Sequence, residues 1–128
     1  PPVIKRALAE IPGAPLFAHN IESLSVADIV SICGGRQPHL IHLGEIIEHL
    51  VEDYRVLKTL FDALPDGGLL YVDTPDNPLK IYERDHLRFY PLPSLVRLVE
   101  LAGFELIDIG AADGYNIVVC RRNDNAKP

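Results

Sequence analysis

The distribution of apolar residues between positions 39 and 72 constrains the fold more than any other feature of this sequence. Two short apolar segments, residues 39–43 and 69–72, flank a stretch in which apolar residues recur at helical spacing. That spacing predicts an amphipathic helix lying on a sheet. A strand–helix–strand unit of this length usually forms a right-handed crossover between parallel strands. We therefore expect strands 40–43 and 69–72 to be adjacent and parallel, with residues 46–64 as the crossover helix.

The segments on either side extend this unit into an α/β fold. The predicted helices outside it are residues 3–10, 26–32 and 92–102. The predicted strands outside it are residues 14–18, 104–109 and 115–120. A short turn joins the last two strands, which predicts an antiparallel hairpin. The order of elements predicts a three-layer sandwich with a partial Rossmann-like sheet, mostly parallel and closed by the C-terminal antiparallel hairpin.

Polar residues follow the predicted strands at the edge where an α/β fold binds its ligands. Asn20 and Glu22 follow the strand at 14–18, and Gly44 and Glu45 follow the strand at 40–43. Because ligands gather at the carboxyl ends of parallel strands, we expect a site there. A long segment without periodicity, residues 74–88, follows the next strand, and loops of this length are usually functional or disordered.

Four patterns in this order resemble class I S-adenosylmethionine-dependent methyltransferases of the small-molecule group. They are the Glu-x-x-Glu-His segment after strand 40–43, the Pro-x-Gly-Gly turn before strand 69–72, the Thr-Pro-Asp-Asn loop at 74–77 and the segment 85–104, which contains Asp-His-Leu-Arg-Phe-Tyr and Ala-Gly-Phe. The resemblance covers about residues 14–122. It implies one methyltransferase-like domain over residues 1–122, incomplete at its N-terminus, and a polar, frayed tail over residues 123–128.

The resemblance also implies the reaction, which is methyl transfer from S-adenosylmethionine to a small-molecule or sugar-like acceptor. The family opens with a Gly-x-Gly-x-Gly turn that holds the methionine part of the cofactor, and this sequence contains no such turn. We therefore expect the chain alone to bind S-adenosylmethionine weakly or not at all. The implied cofactor-binding residues are Asn20, Glu22, Leu43 and Gly44. The implied catalytic residues are Glu45 and His86, and the implied acceptor-binding residues are Asn77, Tyr82 and Arg88.

A metal site is a further hypothesis at the same edge. On a continuous helix, Glu45, Glu48 and His49 would share one face, since they are spaced at i, i+3 and i+4. Together with His86 they would offer two carboxylates and two imidazoles, a set suited to Mg²⁺, Mn²⁺ or Fe²⁺. A similar set occurs in metal-using terminal-ribose 2′-O-methyltransferases of small RNAs. Alternatively, Glu48 and His49 are generic packing residues, and His86 is a general base or a loop anchor.

Charge and composition restrict the partners. A net charge of −6 argues against extensive electrostatic binding to the phosphates of a nucleic acid. No apolar run is long enough to cross a membrane. Cys33 and Cys120 have no metal-type spacing, so we expect reduced thiols and a cytoplasmic location. We expect a homo-oligomer built on the edge of strand 40–43, with Ile41 and Leu43 near the contact. Two alternative functions stay open: a metal-dependent RNA-ribose 2′-O-methyltransferase and a non-catalytic methyltransferase-like interaction module.

Overall fold

The computed structural model describes residues 19–125 and contains four strands and three α-helices in that range. The strands are β1 (Leu40–Gly44), β2 (Leu69–Pro75), β3 (Glu105–Ala112) and β4 (Tyr115–Arg121). The helices are α1 (Val26–Ile32), α2 (Asp53–Ala63) and α3 (Leu92–Leu101), with 3-10 turns at Ile21–Ser23, Ile47–His49 and Pro78–Tyr82. The predicted helix 3–10 and strand 14–18 lie outside the described residues. No described helix has the length and apolar content needed to cross a membrane.

The four strands form one sheet in the order β1-β2-β4-β3. β1 and β2 are adjacent and parallel, with Leu40 opposite Leu69 and Gly44 opposite Asp73, which confirms the central strand–helix–strand prediction. β2 and β3 each pair antiparallel with β4. The sheet is therefore an α/β sheet with the predicted antiparallel end, but among the described strands it is partly rather than mostly parallel.

The C-terminal hairpin follows from its two-residue turn. Asp113 and Gly114 both have positive φ, 55° and 87°, as a type I′ turn requires. The turn aligns β3 with β4 from the Ala112–Tyr115 pair onward, apart from an irregularity between Leu106 and Asp108. The predicted hairpin is confirmed, and β3 runs three residues beyond the predicted end at residue 109.

The crossover is shorter than predicted, and the expectation of one helix over residues 46–64 is wrong at its start. After β1 the chain makes the 3-10 turn Ile47–His49, leaves helical geometry at Leu50 (ψ 135°) and enters α2 only at Asp53. Glu45 has a φ of 53°, which no α-helix accommodates. The carboxylate of Glu22 also accepts a hydrogen bond from the amide of Val51, which diverts that amide from a helical ladder. Residues 45–52 therefore form a loop, here called the β1 loop.

The helices cover one face of the sheet. Side chains of α2 and α3 that are fully buried, such as Leu57 and Leu95, pack with the sheet residues Leu43, Val72 and Val118 in one core. Alternate sheet residues on the opposite face are only half-buried. Within residues 19–125, the predicted sandwich is thus represented by two layers. α1 begins with a capping box: the Ser25 hydroxyl accepts from the Asp28 amide, and the Asp28 carboxylate accepts from the Ser25 amide.

Two expectations about the periphery need correction. Asn123 donates to the Glu105 carboxylate and the amide of Asp124 donates to Asp66, so the first residues of the predicted frayed tail are held against the domain. β1 is an edge strand of the described sheet. Leu43 is 1% exposed and belongs to the core, whereas Leu40 is 62% exposed. The Leu43 side chain therefore faces the core of its own chain, and the intermolecular contact at this edge stays a prediction.

Candidate functional site

A cleft of about 500 Å³ opens beside the carboxyl end of β1. Residues 19–22 and residues of the β1 loop line it. Four of the predicted site residues line it: Asn20, Glu22, Glu45 and His49. The remaining lining is largely apolar, with Ile46 among the contributing residues. The predicted edge of the sheet thus carries a cleft of the size that small ligands occupy.

Asn20 and Glu22 are held by the local turn that they begin. The Asn20 side-chain oxygen caps the 3-10 turn by accepting from the Glu22 amide at 3.1 Å. That bond leaves the Asn20 amide nitrogen available to a ligand. Glu22 braces the β1 loop instead, because its carboxylate accepts from the Val51 amide and its carbonyl accepts from Arg55 at 2.9 Å. Asn20 is therefore the better candidate for direct ligand contact.

The junction of β1 with its loop is tightly determined. A Cβ on Gly44 would lie 3.1 Å from the His42 ring, so the backbone here passes close to a side chain. The Glu45 amide donates to the carbonyl of Asp73 and to its carboxylate, both at 3.1 Å. These bonds hold Glu45 in its left-handed conformation, and conformations of this kind concentrate at functional sites. Leu43, predicted to bind cofactor, is buried in the core.

Two further residues join this junction: Asp73, which lies among the polar residues predicted at the end of β2, and Tyr115, which no sequence pattern indicated. The Tyr115 hydroxyl donates to the Glu45 carboxylate at 2.9 Å, and this bond together with the negative charge of Glu45 raises the pKa of Tyr115. Asp73 also lies 2.6 Å from the His42 ring nitrogen. Because β1 and β2 pair in parallel, Asp73 lies directly opposite Gly44, at the same edge of the sheet. No local pattern connects Tyr115 to a residue 70 positions earlier.

A second group of polar side chains lies behind the cleft. Glu48, His49 and His86 each place a ligand-type atom within 4.8 Å of those of the other two. Glu48 is 1% exposed, and its Oε2 accepts from the Thr74 hydroxyl at 3.1 Å. Its Oε1 is buried without a hydrogen-bond partner. Glu45 is absent from this group, so three of the four predicted metal ligands come together, and they do so without sharing a helical face.

Both histidines of this group are oriented by backbone carbonyls. His49 Nδ1 lies 2.9 Å from the carbonyl of Asp85, and His86 Nδ1 lies 2.8 Å from the carbonyl of Lys80. Since a carbonyl only accepts, each Nδ1 must carry the hydrogen, and in the neutral rings each Nε2 has a free lone pair. The two rings meet edge to face, with centroids 4.6 Å apart.

The segment after β2, residues 76–87, is here called the β2 loop, and its predicted acceptor-binding residues are highly exposed. Asn77 caps the 3-10 turn by accepting from the Leu79 amide at 2.9 Å, and Tyr82 is 85% exposed. Arg88, directly after the loop, forms an ion pair with Asp53 at 2.7 Å and donates to the Val51 carbonyl at 3.3 Å. The guanidinium group of Arg88 therefore ties this segment to the β1 loop.

The Arg88 contact belongs to a small network. Burial raises the pKa of Asp53, but hydrogen bonds from the Tyr90 hydroxyl, the Tyr54 amide and Arg88, together with the charge of Arg88, outweigh it and leave that pKa below its usual value. Burial and the bond to Asp53 raise the pKa of Tyr90. The Tyr90 hydroxyl also lies 3.5 Å from the Ile47 carbonyl. The network fixes the start of α2 against the end of the β2 loop.

Comparison with known proteins agrees with this geometry. Residues 6–109 match a family model described as a methyltransferase domain. No curated protein sequence matches the chain. Among solved structures, the N-methyltransferase NodS from Bradyrhizobium japonicum WM9 superposes with a TM-score of 0.70 at 14% identity, covering 97% of this chain and 70% of NodS.

Two further solved structures show the same fold. An S-adenosylmethionine-dependent methyltransferase from Mesorhizobium loti has a TM-score of 0.68 at 12% identity, with 93% of this chain and 75% of that protein covered. An O-methyltransferase family protein from Burkholderia thailandensis has a TM-score of 0.61 at 16% identity, with 86% of this chain covered. The chain spans about a third of several such structures, 36% of the Burkholderia protein and 29% of human N-acetylserotonin methyltransferase.

Proposed function

Because this chain belongs to the methyltransferase domain family, we propose that it is part of an enzyme that transfers a methyl group from S-adenosylmethionine to a small-molecule acceptor. The observation that carries the proposal is the cleft at the carboxyl end of β1, which Asn20 and Glu45 both line. A small, partly apolar cleft at this edge suits a small ligand. The net charge of −6 also disfavours the RNA-ribose alternative.

The residues present fit the adenosine part of the cofactor. Ile21, Ile46 and Leu50 give the cleft apolar walls, and the Asn20 amide group offers a donor at its rim. An adenine ring needs apolar faces and a few polar contacts at its edge. In this proposal Asn20 contacts the adenosine directly, Glu22 holds the wall in place, and the Gly44 backbone lies next to Glu45, which lines the cleft.

When bound, S-adenosylmethionine would supply an activated methyl group, carried on a positively charged sulfur, to an acceptor oxygen or nitrogen. The chain's own task is to orient the acceptor, exclude water and take up a proton where the acceptor is a hydroxyl. The Glu45 carboxylate is the candidate for that last role, because the Tyr115 hydroxyl and the β1–β2 junction fix its position. Asn77 and Tyr82 are candidates for acceptor contact from the β2 loop.

The test is a titration of the ¹⁵N-labelled full chain with S-adenosylhomocysteine, followed by NMR. The sequence contains no Gly-x-Gly-x-Gly turn, so we expect weak binding. The shifts should cluster at Asn20, Gly44 and Glu45. Asn20→Ala should weaken the response, whereas Asn125→Ala, in an exposed residue outside the cleft, should not. Shifts confined to the opposite end of the sheet would contradict the proposal.

The proposal also includes a cytoplasmic location and a homo-oligomeric assembly. Cys33 and Cys120 are both free thiols, which suits the reducing conditions of the cytoplasm. β1 is an edge strand of the described sheet, and Leu40 and Ile41 reach its surface. We expect a second copy of the chain to pair there, because unpaired strand edges favour association. Light scattering at micromolar concentration should then give a mass above that of a monomer, and a monomer stable on dilution would exclude this assembly.

A further inference from the structure

The buried carboxylate of Glu48 is the most unusual polar group in the described part of the chain. It comes from a fully buried 3-10 turn residue, and one of its oxygens has no donor within hydrogen-bonding distance. A buried carboxylate oxygen without a partner is costly, so a native structure that keeps one needs a reason. Thr74 binds the other oxygen and fixes the carboxylate plane, which leaves Oε1 facing the histidines.

The surroundings of Oε1 indicate what the missing partner is. His49 Nε2 lies 3.8 Å away, but it carries no hydrogen in the neutral ring because Nδ1 donates to the Asp85 carbonyl. His86 has the same arrangement through Lys80. The three groups thus bring acceptor atoms within 4.8 Å of one another, and the carboxylate of Glu83 lies 3.8 Å from His86 Nε2 as well. A cation is the partner that satisfies three acceptors at once, and histidines that bind metals are commonly oriented by a carbonyl on the other ring nitrogen.

We infer that Glu48, His49 and His86 form a binding site for one divalent transition-metal ion. Two imidazoles with one carboxylate are the ligand set of catalytic zinc and non-haem iron centres, which keep positions open for water or substrate. Mg²⁺ prefers oxygen ligands in an octahedral shell. Because Glu45 binds Tyr115 and lies outside the group, the site has one carboxylate and favours Zn²⁺, Mn²⁺ or Fe²⁺ over Mg²⁺.

The site requires only a small closure. Ligands about 2.1 Å from one ion lie about 3–3.5 Å from each other. The three ligand atoms lie up to 4.8 Å apart in the structure, so these distances must shorten by about 1 Å for all three atoms to bind one ion. The β2 loop can supply it, since it is exposed around His86 and is joined to the β1 loop through the Leu87 amide, which donates to the Glu48 carbonyl at 2.8 Å.

The site also lies beside the proposed acceptor. His49 lines the cleft, whereas Glu48 and His86 line a smaller pocket that adjoins the β2 loop. An ion held between them would have its open positions next to the cleft. This inference rests on the proposed function. It restricts the class of acceptor to hydroxyl compounds whose oxygen can bind the ion. The ion would lower the pKa of that hydroxyl. After transfer of its proton to the Glu45 carboxylate, the oxygen would take the methyl group and leave neutral S-adenosylhomocysteine.

The test uses the full chain without cofactor, so its failure is distinct from failure of the proposed function. Adding Zn²⁺ should raise the melting temperature by about 5 °C or more at saturation, because a ligand that binds only the folded state stabilises it. Mg²⁺ at the same concentration should raise it by less than half as much. Co²⁺ should give visible absorption bands typical of mixed nitrogen and oxygen ligation.

Matched variants separate metal binding from structural damage. Glu48→Gln keeps the shape and can still accept from Thr74, and its new amide can donate toward His49. We expect this variant to fold normally without metal and to lose the Zn²⁺ response and the Co²⁺ bands. His86→Ala should lose them as well, whereas His39→Ala, in an exposed histidine outside the group, should retain both. A Zn²⁺ response that survives in Glu48→Gln, or no response in the unaltered chain, would overturn the inference.

Discussion

The β1 loop and the β2 loop leave neighbouring parallel strands at the same edge of the sheet, yet they are held in opposite ways. In the β1 loop, Ile47, Glu48 and Leu50 are all at most 4% exposed. In the β2 loop, the large apolar residues Leu79 and Tyr82 are 68% and 85% exposed. One loop is built into the core, and the other is held mainly by hydrogen bonds and ion pairs.

That difference assigns different tasks to the two loops. A loop anchored by core burial holds its functional groups in fixed positions, which suits Glu45 and Glu48. A loop with few buried contacts opens at low cost in free energy, which suits the admission of an acceptor. The bonds that join the two loops, from His49 to Asp85 and from Leu87 to Glu48, determine how His86 approaches Glu48.

The largest expected effect comes from shortening a buried apolar side chain in the β1 loop. Ile47→Ala should lower the free energy of unfolding by about 3 kcal/mol, because it removes buried methyl groups and leaves a cavity. The matched change in the β2 loop, Leu79→Ala, should cost less than about 0.5 kcal/mol. Urea denaturation measures both values. Similar losses in the two variants would show that the two loops do not differ in their anchoring.

A smaller loss of stability is expected from a substitution where the end of the β2 loop meets α2. Tyr90→Phe removes the hydroxyl that donates to Asp53 and should cost about 1–2 kcal/mol at neutral pH. The folded-state pKa of Asp53 lies below its ordinary value of 3.8, so this stabilisation is present above about pH 4 and is lost as the pH falls through the folded-state pKa. Urea denaturation of both proteins between pH 7 and pH 3 should show the difference shrinking toward acid.

The control for that prediction is Tyr54→Phe, one residue along the chain from Asp53. Tyr54 is 47% exposed, and its hydroxyl makes no hydrogen bond within the described residues. It should change stability by less than about 0.5 kcal/mol at every pH. A Tyr90→Phe difference that stays constant down to pH 3 would mean that Asp53 is not the group responsible.

The smallest effect on stability is expected at the tip of the β2 loop. Tyr82→Ala should leave the free energy of unfolding within about 0.5 kcal/mol of the unaltered chain, because the side chain is 85% exposed. If Tyr82 contacts the acceptor, the same variant should raise the KM for the acceptor in the active enzyme while kcat changes less. A clear loss of stability, or an unchanged KM, would argue that this residue has no role in acceptor binding.

Much of the fold was accessible from local patterns. The apolar period predicted β1, β2 and their parallel pairing. The short connection between the last two strands predicted the hairpin, and the structure builds its turn from Asp113 and Gly114. The site was predictable only in outline. The rule for strand ends located Asn20 and Glu45 correctly at one cleft. It gave no information on Tyr115, which reaches Glu45 from the far end of the sequence.

The sequence by itself therefore determined which segments become strands and helices, where the caps and turns fall, and at which edge polar groups collect. The tertiary structure alone decided that the crossover helix begins at Asp53, that Glu45 turns toward Tyr115 and that Glu48 is buried facing two histidines. The physical reason is the range of the interactions. Periodicity and turn chemistry act over a few residues, whereas the bonds from Val51 to Glu22 and from His49 to Asp85 join groups 29 and 36 positions apart.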